Sequence, residues 1–228
     1  MIRPITRRGS DKILKILLRV ALVLLLLFIG GLLVLLVPAH LQIRSVNTPL
    51  PSMHDFEQLQ TANGPQAIYY ISTSEQPLRG GILTHSVILL QWADGRLFMI
   101  DAGMRRPQAL EFGKLMATIA GGGELKIHGS IDQLLGSAKA RIAGVGFTHL
   151  HIDHTEGVQS LCSAIETSPL LLQTKEQQTL QNFNTVEGAQ ILADACLQSA
   201  ALSGAPVATS SEFPGLGIVA MGGHTPGS

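Results

Sequence analysis

The chain has 228 residues, with sixteen basic and sixteen acidic side chains and a formal net charge of zero. That length allows one domain of ordinary size and a further segment. The charge is unevenly spread: residues 1–19 carry six basic side chains (Arg3, Arg7, Arg8, Lys12, Lys15 and Arg19) against Asp11, leaving ten basic against fifteen acidic residues in the remainder. An acidic body excludes nucleic acid as the main partner, because phosphate binding needs clustered Lys and Arg. The pair Arg105-Arg106 reads as part of a solvated loop.

From Val20 to Val37 runs VALVLLLLFIGGLLVLLV, eighteen residues without a charge. As a helix it spans roughly 27 Å at 1.5 Å per residue, close to the thickness of a bilayer's hydrocarbon core. Ile13, Leu14, Ile16, Leu17 and Leu18 extend it, with Lys15 and Arg19 snorkelling to the headgroups. Uniform apolarity with no polar face speaks against a buried core helix. Basic residues before the span and few after it predict a cytoplasmic N-terminus and a body outside the cytoplasm, periplasmic or extracellular. A cleaved signal peptide is the alternative. Its site, Val37-Pro38-Ala39, is poor and its apolar region is longer than usual, so an uncleaved signal anchor is the reading adopted.

The expected organisation is a basic cytoplasmic segment (1–19), a transmembrane anchor (20–37) ended by Pro38, a linker (38–65) and a folded body (66–228). Within the body, Ala67–Thr73 is strand-like. Ser86–Trp92 and Arg96–Gly103 read as a hairpin turning at Asp94-Gly95. Pro107–Ala120 has helical spacing and is broken by Gly121-Gly122-Gly123. A short helix at Ile131–Ala138, a strand at Ala143–Thr148 and a helix near Glu156–Ile165 follow. Further on come a strand at Leu170–Gln173, helices near Lys175–Gln181 and Val186–Leu202, and a strand at Gly217–Met221. Strands alternating with helices indicate an α/β layered body. Trp92 is expected at a sheet edge, and Cys162 and Cys196 as two unpaired, half-buried thiols, although an exported domain permits a disulfide.

Three of the eight histidines fall in FTHLHIDHTEGV, Phe147–Val158. A core has no use for them, since each imidazole brings polar nitrogens that need partners when buried. A metal ion does. His149 and His151, two apart at the end of a strand, share a face, and Asp153 and His154 follow in the turn. Imidazole and carboxylate suit zinc, and also iron or manganese. Strand, cluster, helix is an order that puts ligands at the C-terminal end of a strand, where open α/β sheets bind their substrates. Glu156 reads as a first-turn helix residue.

Thr148–His154 (THLHIDH) resembles the His-x-His-x-Asp-His signature of the metallo-β-lactamase superfamily. Three further features occur in that family's order: MIDAG after a strand, an apolar strand leading into the signature, and GHTPGS about seventy residues later. The resemblance covers about residues 67–228 and implies an αββα sandwich of two similar halves. It implies His149, His151 and His224 as ligands of a first metal, and Asp153 and His154 as ligands of a second. Asp153 would also act catalytically by orienting the nucleophile, and Asp101 would be the carboxylate partner that fixes a ligating histidine. The implied activity is hydrolysis of a small-molecule ester, lactone, amide, thioester or phosphoester by a hydroxide held on one or two zinc ions. His40, His54, His85 and His128 match nothing in the pattern; His85 opens a strand and could lie near the site, but a surface or partly buried position is the one expected.

The sequence given ends at Ser228, where the family's second half is expected to begin. On this reading it is an α/β sandwich truncated after its first half, lacking the family's later bridging aspartate and its last histidine. A fragment, a terminated product, or a natural half pairing with another chain would each account for that. Two other functions stay open: an iron-dependent redox member of the superfamily, and a non-catalytic, membrane-tethered metal-binding scaffold.

Overall fold

The structure, a computed structural model, describes residues 8–45, 48–59 and 61–228. The chain divides into two compact units, Met1–Gln42 and Ile43–Ser228. The first is built on helix α1 (Arg8–Ser45), in which Lys12–Pro38 is a 27-residue stretch of mean hydropathy 3.3, long and apolar enough to cross a membrane. Its side chains, Leu24, Leu27 and Val34 among them, are exposed. The sequence alone ends the anchor at Pro38; in the structure the helix runs on through it to Ser45. Proline removes one backbone donor and bends a helix, and it need not end one. Arg3 and Arg7, which weigh in the expected orientation, lie outside the described residues.

The second unit opens with the short helix α2 (Met53–Glu57), held by a reciprocal cap between Ser52 and Asp55. Strands β1 (Ala67–Leu78), β2 (Gly81–Gln91) and β3 (Leu97–Ile100) form an antiparallel meander. The β2–β3 turn falls where Asp94-Gly95 predicts it: Gly95 takes φ 87°, and its N–H donates to the Trp92 carbonyl. Helix α3 (Arg106–Ala120) carries Pro107 in its first turn and stops at Gly121 in the left-handed conformation. Then come β4 (Lys126–Ile127), α4 (Ile131–Leu135), β5 (Ile142–Gly146), α5 (Ile152–Thr155), α6 (Val158–Ala164) and β6 (Leu170–Leu172). The chain continues through α7 (Lys175–Thr179), α8 (Val186–Ala193), β7 (Gln198–Ser199), β8 (Val207–Thr209) and β9 (Gly217–Val219). The expected helix to Leu202 is therefore too long. The chain leaves α8 after Ala193, and Gln198–Ser199 pairs in parallel with β6.

Seven strands form one mixed sheet in the order β4-β1-β2-β3-β5-β6-β7, parallel from β3 onward, and β8 and β9 form a separate hairpin. Alternation along the central strands sends neighbouring side chains to opposite faces. Val87, Leu89, Leu97, Met99 and Val145 face a helical layer that includes Ile131, Leu135, Leu161 and Ile191. Leu90, Phe98 and Leu172 face the other way, against Phe213 and, through Ile218, the β9 strand. The layers are thus helices, a mixed sheet and a small hairpin, an α/β architecture of the class expected.

Two expectations about side chains are corrected. Trp92 is 2 % exposed, not at an edge: its indole N–H donates to the Pro214 carbonyl at 3.0 Å, and its ring meets Phe213 edge-on. Cys162 and Cys196 are joined as a disulfide, their Cα atoms 5.4 Å apart. The pairing of β7 with β6 is what returns Cys196 to the side of α6 that carries Cys162.

Candidate metal centre

The end of β5 and the turns around it build the site. Asp101, just past β3, adopts φ 61°, a left-handed conformation that aspartate tolerates better than most residues. Its N–H donates to the Gly146 carbonyl, so the ends of β3 and β5 are tied together. Its Oδ1 accepts from the Thr148 N–H (2.8 Å) and its Oδ2 from the Thr148 hydroxyl (2.8 Å). The same Oδ2 lies 2.8 Å from His154 Nδ1. Gly157 closes the arrangement: its N–H donates to the Gly103 carbonyl, and a side chain there would run into the Ala102 backbone.

His149, His151 and His224 come together, with one ring nitrogen of each within 4.8 Å of the others. The His149–His151, His149–His224 and His151–His224 ring centres lie 4.5, 4.6 and 4.8 Å apart. The two-residue spacing behaves as expected, with Leu150 between them buried in the helical core. His224 arrives on a loop closed by bonds from the Met221 N–H to the Ser228 carbonyl and from the Thr225 N–H to Ser228 Oγ. Asp153 and His154 stand beside this trio and not within it. The His154 ring centre is 3.9 Å from that of His149, and its Nε2 is 3.5 Å from Asp153 Oδ2.

Burial pushes His149 down to about 3, helped by the neighbouring imidazoles of His154, His151 and His224. Burial also lowers His151, against the pull of Asp153. For His154 burial works downward as well, but the hydrogen bond and charge of Asp101, with Asp153, outweigh it and raise its pKa. Two neutral imidazoles in a trio, with His151 Nε2 buried and without a hydrogen-bond partner, make a donor set that fits a divalent metal ion.

Three residues matter here that sequence reasoning passed over or misassigned. Glu156, expected in the first turn of a helix, is 2 % exposed and sits at the C-cap of α5, just before α6 begins. It accepts from the Arg105 backbone N–H at 2.6 Å and pairs with the Arg105 guanidinium, whose Nη2 donates to Gln159. Arg105 is accordingly a half-exposed tie from the start of α3 to Glu156 and to Gln159 on α6, not part of a free basic loop. Gln177 on α7 donates to the carbonyls of Phe147 (2.9 Å) and Gly227 (3.2 Å), joining the β5 end to the His224 loop. Replacing Gln177 by Ala leaves both carbonyls unpaired, and we expect a loss of about 1–3 kcal/mol in chemical denaturation. The third is His85, 3 % exposed and therefore no surface residue, whose Nε2 lies 3.8 Å from Asp153 Oδ2.

Residues 80–183 match the family model described as the metallo-beta-lactamase superfamily. Asp101, His149, His151, Asp153 and His154 all lie inside the matched stretch, and His224 lies beyond it. Among solved structures, a quorum-quenching N-acyl homoserine lactone lactonase is similar to it at 15% identity over 72% of this chain and 66% of its own, with a TM-score of 0.50. An N-acyl homoserine lactone hydrolase, solved with N-hexanoyl-L-homoserine at its catalytic metal centre, shares 15% identity over 72% of this chain and 68% of its own (TM-score 0.48). A probable metal-dependent hydrolase from Staphylococcus aureus shares 21% identity over 42% and 41% (TM-score 0.31). The chain thus spans a little under two thirds of the length of the first of these. No curated protein matches the sequence.

Proposed function

We propose that the chain is a membrane-anchored, metal-dependent hydrolase of small molecules bearing an ester, lactone, amide or phosphoester group. The observation that carries the proposal is the convergence of His149, His151 and His224 at the end of β5, with one buried imidazole nitrogen left without a partner. These three would hold a first ion, and Asp153 with His154 a second. Zinc is the ion proposed, as the donors are imidazoles and a carboxylate. A divalent ion there supplies Lewis acidity, polarising the carbonyl or phosphoryl group under attack and acidifying water. The residues do the rest. Asp101, braced by both donors of Thr148, orients the His154 ring so that Nε2 turns towards Asp153. Asp153 would accept a hydrogen bond from the nucleophile and so aim it.

The experiment is a panel of a γ-lactone, a nitrophenyl ester, a β-lactam and a phosphodiester, given to the full chain in detergent with and without zinc. Turnover of at least one compound, abolished by a chelator and restored by zinc, supports the reading. Turnover indifferent to chelator, or none with the trio loaded, overturns it.

The α1 helix, apolar on every side, supports the anchor. The Cys162–Cys196 disulfide supports a body in an oxidising compartment, periplasmic or extracellular. In intact cells neither cysteine should then take up a maleimide until reductant is added; labelling without reductant would place the body in the cytoplasm.

A further inference from the structure

His85 is a buried histidine on β2 to which the proposed chemistry gives no task. A bulge in β1 between Ser72 and Ser74 shifts the register, so that Thr73 and Ser74 are both buried and Ser74 stands opposite His85. Ser74 Oγ lies 2.6 Å from His85 Nδ1, and that is its one hydrogen bond among the described residues. The edge of Phe112 on α3 closes the ring in, with centres 5.3 Å apart. The other nitrogen, Nε2, is buried, has no hydrogen-bond partner and faces Asp153 Oδ2 at 3.8 Å. A carboxylate opposite Nε2 favours the tautomer with its hydrogen there, which leaves Nδ1 to accept from the Ser74 hydroxyl. The distance exceeds a hydrogen bond by about 1 Å, within reach of a small rotation of either side chain.

We propose that His85 is a positioning residue for Asp153. Its Nε2–H, set by Ser74, holds the carboxylate through Oδ2, the oxygen that also lies 3.5 Å from His154 Nε2. The inference rests on the proposed function, because Asp153 has work to do only if an ion is bound beside it. Energetically it belongs with other partners of ligating groups, whose loss costs about 10–100-fold in metal affinity or activity.

The test is a competition titration of the full chain in detergent with zinc and with cobalt, the cobalt followed also by its visible spectrum. Asp153→Asn defines the share of affinity that depends on Asp153. His85→Phe keeps the ring volume and the Phe112 contact but removes the donor. His85→Gln keeps an N–H near the Nε2 position. Ser74→Ala leaves the ring in place and frees its tautomer. The expected result is a loss of tenfold or more of the Asp153-dependent affinity in His85→Phe, with an altered cobalt spectrum, a smaller loss in Ser74→Ala, and recovery to within about threefold of wild type in His85→Gln. The role is overturned if His85→Gln behaves like His85→Phe, if His85→Phe binds as wild type does, or if Asp153→Asn changes nothing. Should His85→Phe not fold, Ser74→Ala and His85→Gln still decide between the outcomes. A wild-type chain that binds neither ion contradicts the proposed function itself, before any variant is compared.

Discussion

Replacing His151 by Ala is expected to lower zinc affinity at the proposed first site by on the order of a hundredfold or more, and any hydrolysis with it. The size follows from a bound: removing only the partner that orients a ligating histidine costs about 10–100-fold, and removing the ligand itself costs at least as much. His151 is the informative choice because it has two relations only, to the trio and to the start of α5. Its Nε2 has no hydrogen-bond partner to lose, and its backbone carbonyl, which accepts the Thr155 N–H and hydroxyl, stays in place in the variant. The fold should therefore survive, and circular dichroism should match wild type while a competition titration with a zinc-binding dye shows the loss. Unchanged zinc binding by a folded His151→Ala would remove the residue from the site.

The second large effect is on stability. Converting Cys162 and Cys196 together to Ser releases a loop whose ends are 34 residues apart in sequence. Chain entropy then favours the unfolded state by about 4 kcal/mol on the loop-closure model, a large share of the roughly 5–15 kcal/mol that holds a typical domain together. The crosslink also fixes the short β7 strand to the helical layer through α6, so its loss frees a sheet edge held by only two paired residues, Gln198 and Ser199. The urea midpoint of the double variant, compared with wild type in the absence of reductant, measures the effect. A shift corresponding to under about 1 kcal/mol would mean that the unfolded chain is already restrained in this region.

What the sequence discloses about this protein depends on how far apart the interacting residues lie. The β2–β3 hairpin is legible because Asp94-Gly95 is a local turn signal, and α3 because Pro107 and Gly121 mark both its ends. The histidine trio is half local: His149 and His151 share a face through backbone geometry alone, while His224 joins only because the Ser228 bonds and Gln177 hold its loop in place. Asp101 is found through MIDAG, although its left-handed backbone is not foreseen. Three further residues escape a reading of the sequence because their deciding partners are remote. Glu156 meets Arg105 across 51 residues, and Gln177 meets Phe147 and Gly227 across 30 and 50. His85 meets Asp153 only once β2 lies beneath α5. The overlong α8 has the opposite cause. Apolar residues continue at helical spacing past Asp194, but the Cys162 bond and the pairing with β6 pull that stretch into the sheet. A buried hydrophobic residue can serve a helix or a strand equally well, and periodicity over a few residues does not separate the two.

His149, His151 and His224 are proposed to hold a metal ion, and everything else proposed for the site depends on it. The most direct measurement is the metal content of the full chain, purified in detergent without chelators and assayed by elemental mass spectrometry beside the triple variant His149→Ala, His151→Ala, His224→Ala. At least one equivalent of a transition metal, zinc foremost, is expected in the wild-type chain and none in the folded triple variant. Wild-type protein without metal after growth in zinc-replete medium, or a triple variant that keeps its ion, would contradict the proposal.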